Sequence, residues 1–247
     1  MIQLHDVHKA FGAQQILRGV SLAIPDGEQL FIVGGSGTGK SVLTKVVLGL
    51  EQPDAGHVEI DERDTRQFSQ RDWHAVLAQF GVVFQGAALF DSLDVLENVG
   101  IRLYETHRLP AADIRARVIE ALVQVNLSAD ILHKYPAELS GGMRKRVGIA
   151  RAIIEEPRYL VYDEPTTGLD PASSEVIDGL IESLAQRRPG RTSLVITHDM
   201  RSVRRLATRV VMLHQAEVYF DGPAAAFFAS EDEVIARFLA RERESGG

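Results

Sequence analysis

Short apolar runs alternate with helical patterns along most of the chain. Strands are indicated where apolar and β-branched residues follow one another or alternate with polar ones. The segments with these patterns are 2–7, 20–24, 29–33, 57–60, 81–84, 159–162, 193–197, 210–213 and 217–220. Apolar residues at helical spacing occupy 42–50, 69–79, 114–125, 139–154, 177–184 and 234–239. This alternation predicts an α/β fold.

The middle of the chain has a different character. From Gly86 to about Glu156, strand-like runs nearly vanish and helical patterns replace them. Asp94 and Glu97 stand three residues apart before an apolar run, which is the spacing of a helix capping box with Asp94 as N-cap. We therefore predict a helical lobe inserted within an α/β core.

The predicted boundaries follow from this change of pattern. Residues 1–85 and 157–225 form the α/β core with a β subdomain, 86–156 form the helical lobe, and 226–247 form a C-terminal helix and tail. A chain of 247 residues is expected to be one compact α/β domain or two closely joined lobes. We treat 1–247 as a single domain.

Composition narrows the class of protein. Hydrophobic residues make up 45% and charged residues 25% of the chain, as in ordinary globular proteins. No apolar run approaches the roughly 20 residues of a membrane span, and no secretory signal is recognised at the N-terminus. The chain contains no cysteine, which excludes disulfides and cysteine metal sites. These features favour a cytosolic chain, and the net charge of −7 argues against a partner that is nucleic acid.

A glycine-rich segment between a predicted strand and a predicted helix fits the P-loop pattern G-x-x-x-x-G-K-[ST]. Its glycines allow successive N–H groups to surround a phosphate chain, and the helix adds its positive end. The lysine would reach the β- and γ-phosphates, and the final serine would offer its hydroxyl to Mg²⁺. A glycine-rich turn without a ligand is the alternative, but the flanking strand and helix favour nucleotide binding. The segment consists of Gly34, Gly35, Ser36, Gly37, Thr38, Gly39, Lys40 and Ser41.

Other polar residues follow predicted strands, at the edge where α/β proteins bind ligands. Asp163 suits a contact to Mg²⁺, and Glu164 suits a general base that activates water. Gln85 could reach both the metal and the water, and His198 could donate a hydrogen bond to the γ-phosphate. Each has an ordinary alternative, because a single histidine is often structural and an Asp-Glu pair is often only solvated. Together with the P-loop, they predict a catalytic site.

Two further features remain open from the residues alone. Phe11 could stack on an adenine ring or simply pack beside a turn. Arg144, Lys145 and Arg146 lie in the first turn of a predicted helix, where cations oppose the helix dipole. Either a bound anion offsets this unfavourable interaction, or the three side chains reach solvent or carboxylates.

The motifs resemble those of ABC-type ATPase domains, in the order in which that family has them. Phe11 is similar to the aromatic A-loop position, Gly34–Ser41 to Walker A and Gln85 to the Q-loop. Leu139-Ser-Gly-Gly-Met143 resembles the LSGGQ signature, with Met143 where glutamine is commoner. The motifs that complete the series are Walker B (Leu160–Glu164), the D-loop (Gly168-Leu-Asp170) and the H-loop (His198).

This resemblance covers nearly the whole chain and implies one ABC ATPase domain. The implied fold is a P-loop NTPase (RecA-like) core with an N-terminal antiparallel β subdomain and an inserted α-helical subdomain. It also implies a head-to-tail homodimer in which ATP and Mg²⁺ lie between one subunit's Walker A and the other's signature. Ser140, Gly141 and Gly142 would then face the partner's nucleotide, with Asp170 nearby, and that nucleotide would be the anion for Arg144–Arg146.

A finer resemblance concerns the segment after the Q-loop. Gly86–Val99, Ser140–Val147 and Thr197–Met200 look like the ATPases of Mla/Mce-type phospholipid transporters. The resemblance implies a separate transmembrane permease, a lipid-binding MCE-domain protein and a small STAS-domain protein as partners. It places the chain in the cytoplasm, peripheral on the cytoplasmic face of the inner (plasma) membrane.

Two other functions compete with phospholipid transport. One is import of a different cargo, such as an amino acid or a metal chelate. The other is a soluble ABC ATPase of DNA repair, chromosome maintenance or translation. Soluble members usually have long coiled-coil insertions or two ATPase domains in one chain, and neither is predicted within these 247 residues.

Overall fold

The computed structural model describes residues 1–105 and 109–245, and these form two compact units. Unit 1 comprises Met1–Ala78 and the described part of Arg188–Gly247, and unit 2 comprises Gln79–Arg187. The strands of unit 1 are β1 (Ile2–Phe11), β2 (Gln14–Ile24), β3 (Gln29–Val33), β4 (Ala55–Ile60), β5 (Arg63–Asp64), β8 (Thr192–Ile196), β9 (Arg209–His214) and β10 (Glu217–Pro223). Its helices are α1 (Lys40–Val47), α2 (Gln70–Leu77), α7 (Met200–Leu206), α8 (Ala224–Phe228) and α9 (Glu233–Ser245).

Unit 2 contains the segment that interrupts unit 1 along the chain. Its strands are β6 (Phe80–Val83) and β7 (Tyr159–Asp163). Its helices are α3 (Val95–Glu105), α4 (Ala111–Gln124), α5 (Gly141–Ile153) and α6 (Pro171–Arg187), with short 3₁₀ turns at 129–131 and 136–138. The predicted capping box is confirmed, because the Asp94 carboxylate accepts from the Glu97 N–H at 2.8 Å and the Glu97 carboxylate accepts from the Asp94 N–H at 3.0 Å.

Parallel strand pairs determine where the loops of unit 1 converge. β3 pairs in parallel with both β8 and β9, so that Ile32 lies opposite Ile196 on one side and Val211 on the other. β10 then pairs antiparallel with β9. Because parallel strands end at the same edge of a sheet, the segments after β3 and β8 emerge side by side.

A second, antiparallel sheet in unit 1 has the order β2-β1-β4-β5. Ile2 lies opposite both Ile24 of β2 and Ile60 of β4, and all three side chains are fully buried. Along β1, buried Ile2 and Leu4 flank the partly exposed Gln3, as the two-residue repeat of a strand requires. The α/β fold with an antiparallel β subdomain and a helical insert is therefore confirmed.

The structure differs from the sequence-based expectation in a few places. β1 continues to Phe11, beyond the alternation visible at 2–7, and β2 begins at Gln14, before the alternation visible at 20–24. Bulges in the β1–β2 pairing break the two-residue repeat, which explains why the pattern was lost. Helices α7 and α8 were not expected, since each is too short to show helical periodicity. Among the described helices, none is both long and apolar enough to cross a membrane.

Candidate functional site

The P-loop connects β3 to α1, as predicted, and its backbone requires glycine. Gly39 has φ +102° and stands as the N-cap of α1, and a Cβ there would lie only 2.6 Å from the carbonyl oxygen of Ile16. No described side chain caps α1, and its first turn has no acidic residue. The N–H groups and positive end of this helix are thus left for an anionic ligand.

Lys40 is held against the loop that precedes it. Its side chain is only 9% exposed, and Nζ donates to the carbonyl oxygens of Gly34 at 2.7 Å and Gly35 at 2.9 Å. Thr38 Oγ1 also donates to the Gly35 carbonyl, at 2.9 Å. Ser41 is exposed in the first turn of α1, where its hydroxyl is accessible. A buried cation and an exposed hydroxyl therefore border the same glycine-rich loop.

A cavity of about 390 Å³ lies beside the loop within unit 1. Arg18 on β2 contributes to its lining and forms an ion pair with Glu217 at 2.8 Å. No motif in the sequence points to Arg18, because it is one polar position among others in an irregular strand. The residues that line the cavity are Gln15, Ile16, Arg18, Ser36, Gly37, Thr38, Gln215 and Ala216.

Phe11 ends β1, and 48% of its surface is exposed. Lys9 Nζ lies 5.4 Å from the centroid of its ring. Phe11 is therefore not enclosed by the core, and part of the residue remains accessible beside Lys9.

His198 lies at the same sheet edge as the P-loop. It follows β8, the parallel neighbour of β3, and its side chain is exposed. Thr197 before it is buried, and the Thr197 hydroxyl accepts from the Asp199 N–H at 3.0 Å. Asp199 in turn caps α7. The turn that presents His198 is thus fixed on both sides.

Unit 2 places Gln85, Asp163 and Glu164 at one edge of its own strand pair. β6 and β7 are parallel, with Val83 opposite Tyr162, so Gln85 follows one strand where Asp163 ends the other. Asp163 and Glu164 are half-buried, whereas Gln85 is exposed. The convergence predicted from the sequence therefore holds within each unit.

The backbone at Glu164 is unusual for a residue with a side chain. Its φ is +51°, in the left-handed region that non-glycine residues rarely occupy. Its carboxylate accepts from Thr167 Oγ1 at 3.0 Å, which fixes the orientation of the side chain. Such strain is often found at functional positions. Thr167 was not identified from the sequence.

The three cations of α5 form hydrogen bonds within unit 2, and the side chain of Arg144 is also exposed to solvent. Within unit 2 each of them donates to backbone carbonyl oxygens. Arg144 bonds that of Leu139 at 2.6 Å, and Arg146 bonds that of Asn126 at 2.8 Å. These carbonyl dipoles offset part of the unfavourable interaction between the cations and the helix dipole.

Lys145 is the most consequential of the three, because its two acceptors adjoin predicted catalytic residues. Its side chain is 6% exposed, and Nζ donates to the carbonyl oxygens of Gln85 and, at 3.1 Å, of Glu164. Burial lowers the pKa of Lys145, and the nearby charges of Glu164 and Asp163 oppose that shift. One ammonium group therefore joins the ends of both strands of the pair.

The signature residues lie at the start of α5. Ser140 is the N-cap, and its exposed hydroxyl accepts from the Met143 N–H at 3.2 Å. A Cβ added at Gly141 or Gly142 would come no closer than 3.6 Å or 3.4 Å to any described atom beyond its neighbours, which is ordinary contact. The fold of this chain alone therefore does not require glycine at either position.

Asp170 serves as a helix cap within its own subunit. Its carboxylate accepts from the Ser173 N–H at 2.9 Å and from the Ser173 hydroxyl at 2.6 Å, at the start of α6. These hydrogen bonds lower the pKa of Asp170. The side chain is exposed, so the cap leaves its outer surface accessible.

A strand, a glycine loop and a lysine-bearing helix, together with acidic residues at a strand end, define a P-loop nucleotide hydrolase. Comparison with known families specifies it further. The family model described as ABC transporter matches residues 17–167, which include the P-loop, the signature and the Asp163–Glu164 pair. The chain belongs to the ABC transporter family, and it is an ATPase.

Similar proteins span several cargoes. The chain is 39% identical over 253 residues to the Arabidopsis thaliana protein TRIGALACTOSYLDIACYLGLYCEROL 3, chloroplastic, and the match covers 96% of this chain and 73% of that protein. It is 40% identical over 246 residues to the methionine import ATP-binding protein MetN of Caulobacter vibrioides, covering 99% and 73%. A solved dimeric structure of the ATP-binding cassette MJ0796, in a post-hydrolysis state bound to ADP and Pi, has a TM-score of 0.82 at 32% identity, covering 91% of this chain and 99% of that one.

Proposed function

We propose that this ATPase works as a head-to-tail homodimer in which each ATP lies between the P-loop of one subunit and the signature of the other. The observation behind this proposal is that Gly141 and Gly142 have room for a side chain within their own subunit. Glycine is needed there if another molecule approaches the helix closely. The similar cassette MJ0796, which is dimeric and holds ADP and Pi, supports a dimeric working state.

In this proposal Glu164 acts as the general base toward the attacking water. Gln85 and His198 assist, the first toward water and metal and the second toward the γ-phosphate. Phe11 stacks on the adenine ring, the backbone of 34–39 with Lys40 binds the phosphates, and Ser140 to Gly142 and Asp170 complete the site from the partner subunit.

The oxygen donors of three residues suit Mg²⁺. Ser41 offers a hydroxyl, Gln85 an amide carbonyl and Asp163 a carboxylate, which are the hard ligands that this ion prefers. When bound, Mg²⁺ neutralises charge that develops on the phosphates. The surrounding residues of this chain would hold the phosphates, orient the water and accept its proton.

Substitution of Glu164 tests the catalytic assignment. E164Q should leave ATP affinity unchanged and slow hydrolysis by roughly 10²–10⁴-fold, the usual contribution of a general base. E182Q is the matched control, because Glu182 is an exposed carboxylate on α6. Single-turnover hydrolysis by E164Q within about threefold of wild type would remove Glu164 from this role.

We also propose that the dimer drives a membrane permease, which the segment after the Q-loop contacts. Phe84 is 41% and Phe90 is 51% exposed, two large aromatic side chains near the predicted contact. Asn98, only 1% exposed, accepts from the Phe90 N–H at 2.8 Å and donates to the Phe90 and Leu93 carbonyls at 3.0 and 2.8 Å. A rigid loop that presents an aromatic residue suits a docking surface.

Phospholipid is the cargo that we propose, in a transporter of Mla/Mce type. The residues of Gly86–Val99, Ser140–Val147 and Thr197–Met200 support it, and so does the similarity to a protein named for trigalactosyldiacylglycerol, a lipid. The partners would be a permease, an MCE-domain protein and a STAS-domain protein, at the cytoplasmic face of the inner membrane. Amino-acid import is the second candidate, because MetN is equally similar.

Purification of the tagged chain from its native membranes in mild detergent distinguishes these functions. A multi-span permease with an MCE-domain protein and bound phospholipid would support lipid transport. A permease with a solute-binding protein would instead support the second candidate. F90D should abolish co-purification of the permease. V123D, which alters an exposed apolar residue of α4 in the same unit, should not.

A further inference from the structure

A cluster of two histidines and one glutamate lies on the antiparallel sheet of unit 1, and it shares no residue with the nucleotide site. His5 of β1 lies directly opposite His57 of β4. Glu59 follows His57 by two residues, so both side chains project from the same face of the strand. The ligand atoms of His5, His57 and Glu59 all lie within 4.8 Å of one another.

We propose that His5, His57 and Glu59 bind a divalent transition-metal ion of the zinc type. His5 Nε2 lies 3.5 Å from one Glu59 oxygen, and His57 Nε2 lies 3.3 Å from the other. Ligands bonded to zinc at about 2.0–2.2 Å are separated by roughly 3.3–3.6 Å in a tetrahedron. Both spacings fall within that range, although they involve different oxygens of Glu59 and the His57 contact is also a hydrogen bond.

The burial of the His5 Nε2 atom gives a further reason. It is buried and has no hydrogen-bond partner among the described residues, although the ring itself is partly exposed. A buried polar atom without a hydrogen-bond partner is unfavourable, because it has lost its interaction with water and gained nothing in return. A bound cation would satisfy this atom and the carboxylate together.

The surrounding charges favour a cation. The described ion pairs of Glu59 are with these two histidines only, so no arginine or lysine neutralises it directly. Arg66 also interacts electrostatically with Glu59, but its guanidinium is bonded to the Asp64 carboxylate at 2.6 Å. Asp64 itself lies opposite Glu59 in the β4–β5 pairing. With neutral imidazoles, these groups together have a net charge of −1.

The backbone next to the histidines is well constrained. Gly56 precedes His57 with φ +76°, and a Cβ there would overlap the carbonyl oxygens of His5 and Asp6. A bulge follows His5 in the same pairing. The rings themselves are stacked, with centroids 4.6 Å apart and planes 15° from parallel. They must turn toward each other for their lone pairs to converge on one ion, while the strands can remain in place.

Two imidazoles and one carboxylate select the class of ion. Imidazole nitrogen suits Zn²⁺, Ni²⁺, Cu²⁺ and Co²⁺, whereas Mg²⁺ and Ca²⁺ prefer oxygen alone. Three protein ligands leave one position of a tetrahedral ion for water. The site is thus distinct in chemistry from the Mg²⁺ that accompanies ATP.

Zinc titration of the full chain, freed of its tag and of metal, tests the proposal. Zn²⁺ is added in competition with a chromophoric chelator, and Co²⁺ is used separately for its visible absorption. Wild type should bind one equivalent of Zn²⁺. H57N and E59Q should bind it about 10- to 100-fold more weakly, because even substitution of residues that hydrogen-bond to metal ligands has effects of that size. H133N is the control, since His133 pairs with a single carboxylate, Asp94, at 3.0 Å in unit 2.

Two results would overturn the metal site. One is equal zinc affinity in wild type, H57N and E59Q, which means that the ion binds elsewhere. The other is histidine NMR spectra in which zinc shifts resonances other than those of His5 and His57. Because E59Q is nearly isosteric, it keeps the test valid if H57N fails to fold. Nucleotide-site residues are unchanged in every variant, so their own affinity for zinc cancels in the comparison.

Discussion

Among the described helices, α1 and α5 both begin in glycine-rich sequence, but their N-termini are capped differently. At α1, Gly39 is the N-cap in a left-handed conformation, and no described side chain caps the helix. At α5, Ser140 caps the helix in an ordinary extended conformation, with φ −65°. Glycine is required by the subunit's own fold at α1 and not at α5.

This difference in capping suggests that the N-terminus of α1 can bind an anion within one subunit, whereas the N-terminus of α5 needs a second subunit to complete a binding site. The end of α1 has uncapped N–H groups and, in Lys40, a buried cation within the same subunit. At the N-terminus of α5, the Ser140 hydroxyl caps the helix, and the cations of the first turn are bonded to carbonyl oxygens. The proposed head-to-tail dimer would account for its glycines, because the partner subunit would approach them closely. The predictions below test this contrast, from the largest effect to the smallest.

The strongest test compares alanine at Gly39 with alanine at Gly142. G39A should lower the free energy of unfolding by about 2–5 kcal/mol, the sum of a left-handed backbone penalty and a clash with the Ile16 carbonyl. G142A should leave unfolding unchanged or stabilise the helix by up to about 1 kcal/mol, and yet it should abolish hydrolysis. Denaturant unfolding and ATPase assays measure both. If G142A hydrolyses ATP normally, the glycines of α5 have no partner surface.

The cations at the two helix ends should also differ. K40A should weaken ATP binding by about 10- to 100-fold, because a hydrogen bond to a charged group contributes about 1.5–3 kcal/mol. R144A, at the other helix, removes an exposed cation bonded to the Leu139 carbonyl and should leave nucleotide affinity of the monomer within about twofold. Fluorescent-nucleotide titration measures this. Equal losses in both variants would contradict the contrast.

Lys145 of α5 should affect the rate of hydrolysis rather than the affinity for ATP, because it bonds the backbone of Gln85 and Glu164. K145M should lower kcat by about tenfold with little change in KM, because small displacements of Gln85 and Glu164 disturb alignment. K145Q, whose amide can still donate two hydrogen bonds, should recover most of the rate. A variant K145M with normal kcat, or a loss that K145Q does not recover, would show that the two carbonyl contacts are structural only.

The smallest effect concerns the cap itself. S140A should reduce unfolding free energy by about 1 kcal/mol, the usual effect of losing an N-cap side chain. S36A, in the glycine-rich loop of α1, caps no helix and should change stability by less than about 0.5 kcal/mol. In mixed dimers, S140A subunits should also impair hydrolysis at the wild-type P-loop. Two fully independent sites in such dimers would contradict the head-to-tail arrangement.

Much of the site could be predicted because its chemistry is local in sequence. The P-loop lies within eight residues between a strand and a helix, and the Asp94–Glu97 cap lies within four, so pattern alone locates them. The strand ends before Gln85, Asp163 and His198 were also visible as apolar runs. Short-range spacing determines each of these features, and the fold then places them at sheet edges.

What the sequence did not reveal depends on contacts that are distant along the chain. Lys145 bonds a carbonyl sixty residues earlier, and no pattern near α5 announces that partner. Arg18 reaches the cavity beside the P-loop only because β2 lies next to the turn after β9. Likewise, His5 and His57 come together through strand register, which single-sequence periodicity does not specify.

The buried amide of Asn98 has a consequence for how such cassettes diversify. One side chain fixes the loop through the backbone atoms of Phe90, Leu93 and Asp94, and none of these bonds involves a side chain of the loop. The side chains of the loop take no part in these hydrogen bonds, so substitutions of them leave this anchor intact. In a loop anchored in this way, the exposed side chains can change while the backbone conformation is retained. The same ATPase fold could then bind different membrane partners.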